Sequence, residues 1–211
     1  FAWAVGRAVY VPVGHRYAGA PDQLPIDAVL ARLRPWLESA QRPKLGQNLK
    51  YDAHVLLRAG IRLAGIAHDT LLQSYVLEAH RPHDLASLAH RHLNRSGLSY
   101  DEVTGKGAAR IGFEQVAVEV ATQYSGEDSD FTLHLHHTLW PQIQASPSLL
   151  RVYTEIELPS LQVLWAMEEA GIQVDAVLLE QQSEELARSI RDLEGQAHRS
   201  EEHTSELQSQ R

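Results

Sequence analysis

Leu45-Gly46-Gln47-Asn48-Leu49-Lys50-Tyr51-Asp52 is the stretch on which the fold turns. It reads as a short strand that hands over directly to a helix ending at Gly60, with a carboxylate, Asp52, near the start of that helix. The positive end of a helix dipole favours such a charge, and layered α/β proteins bind ligands where their strands run out. Asp52 therefore has two readings: a simple helix N-cap, or one member of an acidic site at a strand end.

Working outward, residues 1–5 and 8–13 have the apolar density of two buried strands around a tight turn at Gly6 and Arg7. Ile26, Val29, Leu30, Leu33 and Leu37 recur at helical spacing, and Pro43 with Gly46 closes that helix. Downstream, residues 61–67 read as a strand ending on His68-Asp69, and residues 70–79 and 84–93 as helices. The four glycines between 97 and 112 suggest an extended loop. A long helical pattern covers 113–144, with Val116, Val120, Tyr124, Asp128, Leu135 and Leu139 in step. After Ser146-Pro147-Ser148 two further helices follow, over 150–170 and from 175 onward. Strands with interleaved helices make residues 1–144 an α/β layer, and the remainder is helical.

Tyr124-Ser125-Gly126-Glu127-Asp128 is the second piece that carries chemistry. Four residues apart on a helix, the phenol and the carboxylate share a face. A phenol beside a metal-bound water can orient or deprotonate it, and the carboxylate can hold the metal. The plainer reading is a surface tyrosine in a solvated acidic patch, since Glu127 and Asp130 lie alongside.

In this order, the two pieces resemble the bacterial DNA polymerase I family (family A DNA polymerases). The resemblance is carried by Gly46-Gln47-Asn48-Leu49-Lys50-Tyr51-Asp52, Gly65-Ile66-Ala67-His68-Asp69-Thr70, Ser74-Tyr75-Val76-Leu77 and His83-Asp84 through Ser87-Leu88-Ala89. It continues through Gly105-Lys106-Gly107, Glu127-Asp128-Ser129-Asp130, Ile156-Glu157-Leu158-Pro159 and Gly171-Ile172-Gln173-Val174-Asp175. It implies a ribonuclease-H-like 3′→5′ exonuclease fold over 1–144, truncated at its N-terminal strand, and the first helices of a polymerase domain over 145–198. It further implies that Asp52 and Asp128 bind two divalent metal ions (Mg²⁺ or Mn²⁺). Tyr124 then positions the attacking water, and Asn48 contacts the terminal nucleotide of a single-stranded DNA 3′ end. The family's Asp-x-Glu motif is expected upstream of Phe1, because Asp192-Leu193-Glu194 on the last helix cannot replace it. Residues 199–211 depart from the family and resemble a translated sequencing adapter; an ordinary polar helical tail is the alternative.

Composition narrows the field without deciding it. A net charge of −8 argues against a surface that grips nucleic acid everywhere, yet is no obstacle to a nuclease that gathers carboxylates at its metals. With no cysteine, disulfides and thiolate zinc sites are excluded. No long apolar run spans a membrane, and a cytoplasmic, nucleoid-associated monomer is expected. His90, His92, His134, His136 and His137 read as helix surface rather than a zinc site. Gly105-Lys106-Gly107 reads as a mobile loop near the DNA path, and Trp36, Trp140 and Trp165 as core. The parent is expected to use deoxynucleotides as a proofreading polymerase. The alternatives are a polymerase I whose exonuclease layer is an inactive platform, a single-strand-binding module, and a stand-alone exonuclease of the ribonuclease D type. The absence of a basic aromatic stripe weighs against the binding module, and the continuation over 156–175 against the stand-alone enzyme.

Lacking an Asp-x-Glu in place, this chain by itself should release little nucleoside monophosphate from single-stranded DNA with Mg²⁺ or Mn²⁺. Robust release in that assay would refute the expectation.

Overall fold

The computed structural model describes residues 1–209, and of residues 200–209 the backbone alone, so from residue 200 on the foreign tail expected over 199–211 lies outside the described side chains. The chain opens on a hairpin. Strands β1 (Ala2–Ala4) and β2 (Arg7–Ala8) pair antiparallel around Gly6, whose φ of 71° suits the turn. These strands are shorter and more open than the apolar run suggests, with Phe1, Trp3, Val5 and Val9 exposed. A two-stranded ladder has little area with which to bury both faces, and beyond the paired hydrogen bonds between Phe1 and Val9 residues 10–13 leave the ladder, where Pro12 has no N–H to contribute. An apolar hollow of about 740 Å³ separates the hairpin from helix α1 (Ile26–Leu37), with Trp36 on its wall.

A second ladder carries the segment with which the sequence reading began. Strand β3 (Lys44–Gly46) pairs parallel with β4 (Ile66–Asp69), and helix α2 (Leu49–Arg58) starts within three residues of the end of β3. The strand expected over 61–67 forms only at its far end. Ile61 is instead fully buried behind the turn that closes α2, its N–H donating to the Leu56 carbonyl. Gly65 has φ 73°, and a Cβ there would stand 2.7 Å from the Arg42 carbonyl oxygen and 2.8 Å from that of Ser39. The crossover from α1 to β3 therefore packs against a position that only glycine can occupy.

Helices α3 (Thr70–Glu78) and α4 (Leu85–Leu88), with the π-helical turn Ala89–Leu93, lie against the long helix α6 (Val118–Gln144). Leu88, Leu135 and Leu139 are fully buried at that seam, with Leu77, Leu85 and Leu93 packed around them. The glycine-rich stretch expected to be loop contains helix α5 (Tyr100–Thr104), started by a reciprocal capping box between Ser99 and Glu102. Helix α6 starts at Val118 rather than 113 because Val116 and Ala117 are extended. Its unsatisfied start is held from the N-terminal loop. The Tyr17 hydroxyl accepts from Val118 N at 3.2 Å, and buried His15 donates Nδ1–H to the Val116 carbonyl at 2.8 Å.

Beyond residue 144, α7 (Pro147–Arg151), the π-helical stretch Val152–Glu157 and α8 (Leu158–Ala170) run on as one helical course. This course packs on α3 and α6 within the same compact unit, Phe1–Glu169. The second unit begins at Ala170 and contains helix α9 (Ala176–Ser209). Among the described residues no helix is long and apolar enough to cross a membrane.

Gly65→Ala should lower unfolding free energy by about 1–3 kcal/mol, through positive-φ strain and the carbonyl clash. A urea titration of the chain measures it, and an unchanged midpoint would show that the crossover relaxes freely.

Candidate active site

Helix α2 begins without a cap of its own. Its N-cap is Asn48, held in the left-handed region at φ 60°, ψ 48°, and the Asn48 side chain makes no capping bond. The orphaned N–H groups are satisfied from across the ladder. Asp69, at the end of β4 and 1% exposed, accepts from Asn48 N at 3.0 Å and from Leu49 N at 2.7 Å. The same carboxylate accepts from Leu71 N at 2.9 Å and so caps α3 as well. Burial pushes the Asp69 carboxyl up, and the backbone donors hold it down. Gln47 is fixed beside it, its Nε2 donating to the His83 carbonyl at 2.9 Å while its Oε1 accepts from Thr70.

Asp52 follows one turn into α2 and is not the N-cap, which removes the plainer of its two readings. Its surface is open to solvent, yet the recess around it is dense with protein. That desolvation, with the charge of Asp69 second, pushes its carboxyl up to about 6. Among the described residues neither Asp52 nor Asp128 takes part in an ion pair.

Tyr124 and Asp128 belong to the inward stripe of α6. Ala121, Phe131, Leu135, Leu139 and Ile143 are buried along that stripe at helical spacing, and Tyr124 and Asp128 continue it where it emerges half-buried. The Tyr124 hydroxyl and the Asp128 carboxylate lie beside one another. Desolvation raises Asp128 to about 6, with the Tyr124 hydroxyl opposing and Glu127 reinforcing the rise. The phenol is pushed up to about 12 by desolvation first and then by the Asp128 charge, so it stays protonated beside Asp128. Tyr100 and Phe113 stand near the phenol ring, at centroid distances of 6.4 and 5.9 Å. Arg110 lies over Tyr100.

The structure thus brings Tyr124 and Asp128 into contact and sets Asp52 and Asn48 together at the start of α2. Among the described residues no hydrogen bond or ion pair joins the two groups, although α6 packs on β3, the strand that leads into α2. Among the described residues no cluster of three or more histidines and carboxylates forms a metal site. The residue that sequence reading missed is Asp69. Its signal was present, since an aspartate between a strand and Thr70 is a natural cap. Of the histidines assigned to the surface, His134 leans on Asp130, His92 pairs with Glu78, and His136 is packed against His68 and Trp140.

The sequence pattern of the 3′-5′ exonuclease family matches residues 3–144, and the chain belongs to that family, whose fold is ribonuclease-H-like. Its relatives are more particular. It is 47% identical to DNA polymerase I of Pseudomonas aeruginosa over 201 residues, which are 94% of this chain and 22% of that protein. It is 39% identical to DNA polymerase I of Rhizobium leguminosarum, over 89% of this chain and 19% of the other. The chain spans about a fifth of the length of these relatives. Among solved structures it resembles the POL domain of Pol1 from M. smegmatis in complex with DNA primer-template and dNTP. The TM-score is 0.60 at 30% identity, over 81% of this chain and 26% of that one.

Asp128→Asn should stabilise the metal-free chain at neutral and alkaline pH. The folded carboxyl titrates above its unfolded value, so its contribution to stability is whole at low pH and is lost as pH rises through about 6. Thermal melts should place the variant about 2–4 °C above the parent at pH 8, the gap narrowing as pH falls below about 6 and closing only below about 4, near the unfolded value. A gap independent of pH would show that Asp128 is not desolvated.

Proposed function

We propose that this chain is the proofreading portion of a DNA polymerase, residues 1–144, continued by the first polymerase helices over 145–198. In this reading Asp52 and Asp128 hold divalent metal ions, and Tyr124 positions the water that attacks the last phosphodiester of a single-stranded DNA 3′ end. Nucleotide addition from deoxynucleotides, by a monomeric enzyme, is the companion activity proposed for the whole protein. One observation carries the reading. Within a stretch matched by the exonuclease family stand two carboxylates that desolvation drives up to about 6 and that, among the described residues, form no ion pair, one of them beside a tyrosine hydroxyl.

The donors fit Mg²⁺ or Mn²⁺ in kind, since both ions take hard carboxylate oxygens. Two carboxylates do not complete two coordination shells, and the resemblance assigns the other two to an Asp-x-Glu strand. Bound metal would activate water and stabilise charge on the phosphate. The chain's own contribution is placement. Deprotonated Asp52 and Asp128 present partly desolvated charge, so their affinity for a cation rises as pH passes about 6. Tyr124, protonated throughout, is an orienting donor rather than a base. Asn48, held at a positive φ with its side chain making no capping bond, would contact the terminal nucleotide.

In the full-length protein, Asp52→Ala and Asp128→Ala should each lower Mg²⁺-dependent release of nucleoside monophosphates by about a hundredfold or more, as expected for lost metal ligands. Primer extension should continue in both variants. Exonuclease activity that survives Asp128→Ala would overturn the assignment.

A further inference from the structure

Tyr153 lies nine residues beyond the end of the exonuclease family match, in the π-helical stretch Val152–Glu157, and it is fully buried. Its hydroxyl oxygen accepts the backbone N–H of Asp69 at 3.0 Å. The hydroxyl also stands 3.4 Å from His68 Nδ1, and its ring stacks on His68 and tilts against Trp140. That N–H sits at a strand end, inside the protein, where an unpaired donor is costly. Phenylalanine would fill the same space and leave the donor bare.

The contact matters because of what Asp69 does next. Its backbone is fixed by Tyr153, and its carboxylate holds Asn48 N and Leu49 N, the two groups that set the left-handed turn and the start of α2. Asp52 follows on that helix one turn later. On the reading that Asp52 is a metal ligand, we infer that Tyr153 is a positioning residue of the exonuclease site, acting from the polymerase-side helices through Asp69. The exonuclease centre is therefore aligned by a hydroxyl that the exonuclease family match does not contain.

The test uses the full-length protein with Tyr153→Phe, Asp69→Asn, their double variant and Asp128→Ala. Exonuclease kcat and KM on single-stranded DNA are read with Mg²⁺, alongside the primer-extension rate and the melting temperature. Tyr153→Phe should lower exonuclease kcat by about fivefold, the loss of one buried hydrogen bond, with KM for DNA and primer extension within about twofold of the parent. Asp69→Asn should lower kcat by at least about tenfold, and Tyr153→Phe added to it should cost less than about twofold more, because the two lie on one path. If Asp69→Asn does not fold, the single Tyr153→Phe measurement decides. An unchanged exonuclease kcat in Tyr153→Phe, or an equal fall in primer extension, overturns the inference while Asp128→Ala still abolishes release. If Asp128→Ala leaves release intact, the site reading itself has failed, and the inference falls with it.

Discussion

One buried carboxylate sets the geometry on which the rest of the candidate site depends. Asp69 is 1% exposed and among the described residues makes no ion pair, and its charge is satisfied by backbone N–H groups from both sides of the β3–β4 ladder. A carboxylate in that position is costly to desolvate. It is tolerated because helices α2 and α3 both begin there, and each leaves N–H groups that need an acceptor. The dipoles of the two helices converge on the same charge. Asp52 thus lies near a negative group that cannot move away, which contributes to its raised protonation point.

Long helix α6 supplies the other half. Its register is set far from Tyr124 and Asp128, by Leu135 and Leu139 in the seam with α3 and α4 and by His15 and Tyr17 at its start. Asp130 adds a third anchor by accepting from Gly6 N at 2.6 Å, which ties the N-terminal hairpin to the helix. With both ends pinned, the stripe can present a half-buried phenol–carboxylate pair. The π-helical turns at Ala89–Leu93 and Val152–Glu157 flank this architecture. Such widened turns shift side-chain direction by a fraction of a helical turn, and the second of them carries Tyr153.

Much of the fold was legible in the sequence because it rests on periodicity. The apolar steps of α1 and α6 and the strand-to-helix junction at Gly46–Asp52 read correctly from residue type alone. What failed depended on partners far along the chain. Residues 1–13 looked like buried strands, but burial of a strand is decided by what covers it. Ile61 looked like a strand residue because it is apolar, whereas its backbone closes a helix. The Ser99-Tyr100-Asp101-Glu102 capping box lies in sequence among glycines whose density suggests loop, and it starts a helix there. At the site, Asp52, Tyr124 and Asp128 were found through their motifs. Asp69 and Tyr153 act through contacts across 20 and 84 positions of sequence, which no local pattern encodes.

The burial of Tyr153 bears on how such a chain can change over evolutionary time. The helices after residue 144 have no separate core of their own in this unit; they borrow one from β4, α3 and α6. Exchanging Asp52 or Asp128 for a neutral residue would remove carboxylates that lie outside that shared core and leave it whole. Deleting the layer would expose Tyr153, His68 and Trp140 together and strand the helical course that leads into the second unit. On the proposed function, loss of catalysis and loss of the domain are therefore separate events with unequal consequences, and the scaffold has a physical reason to outlast the site.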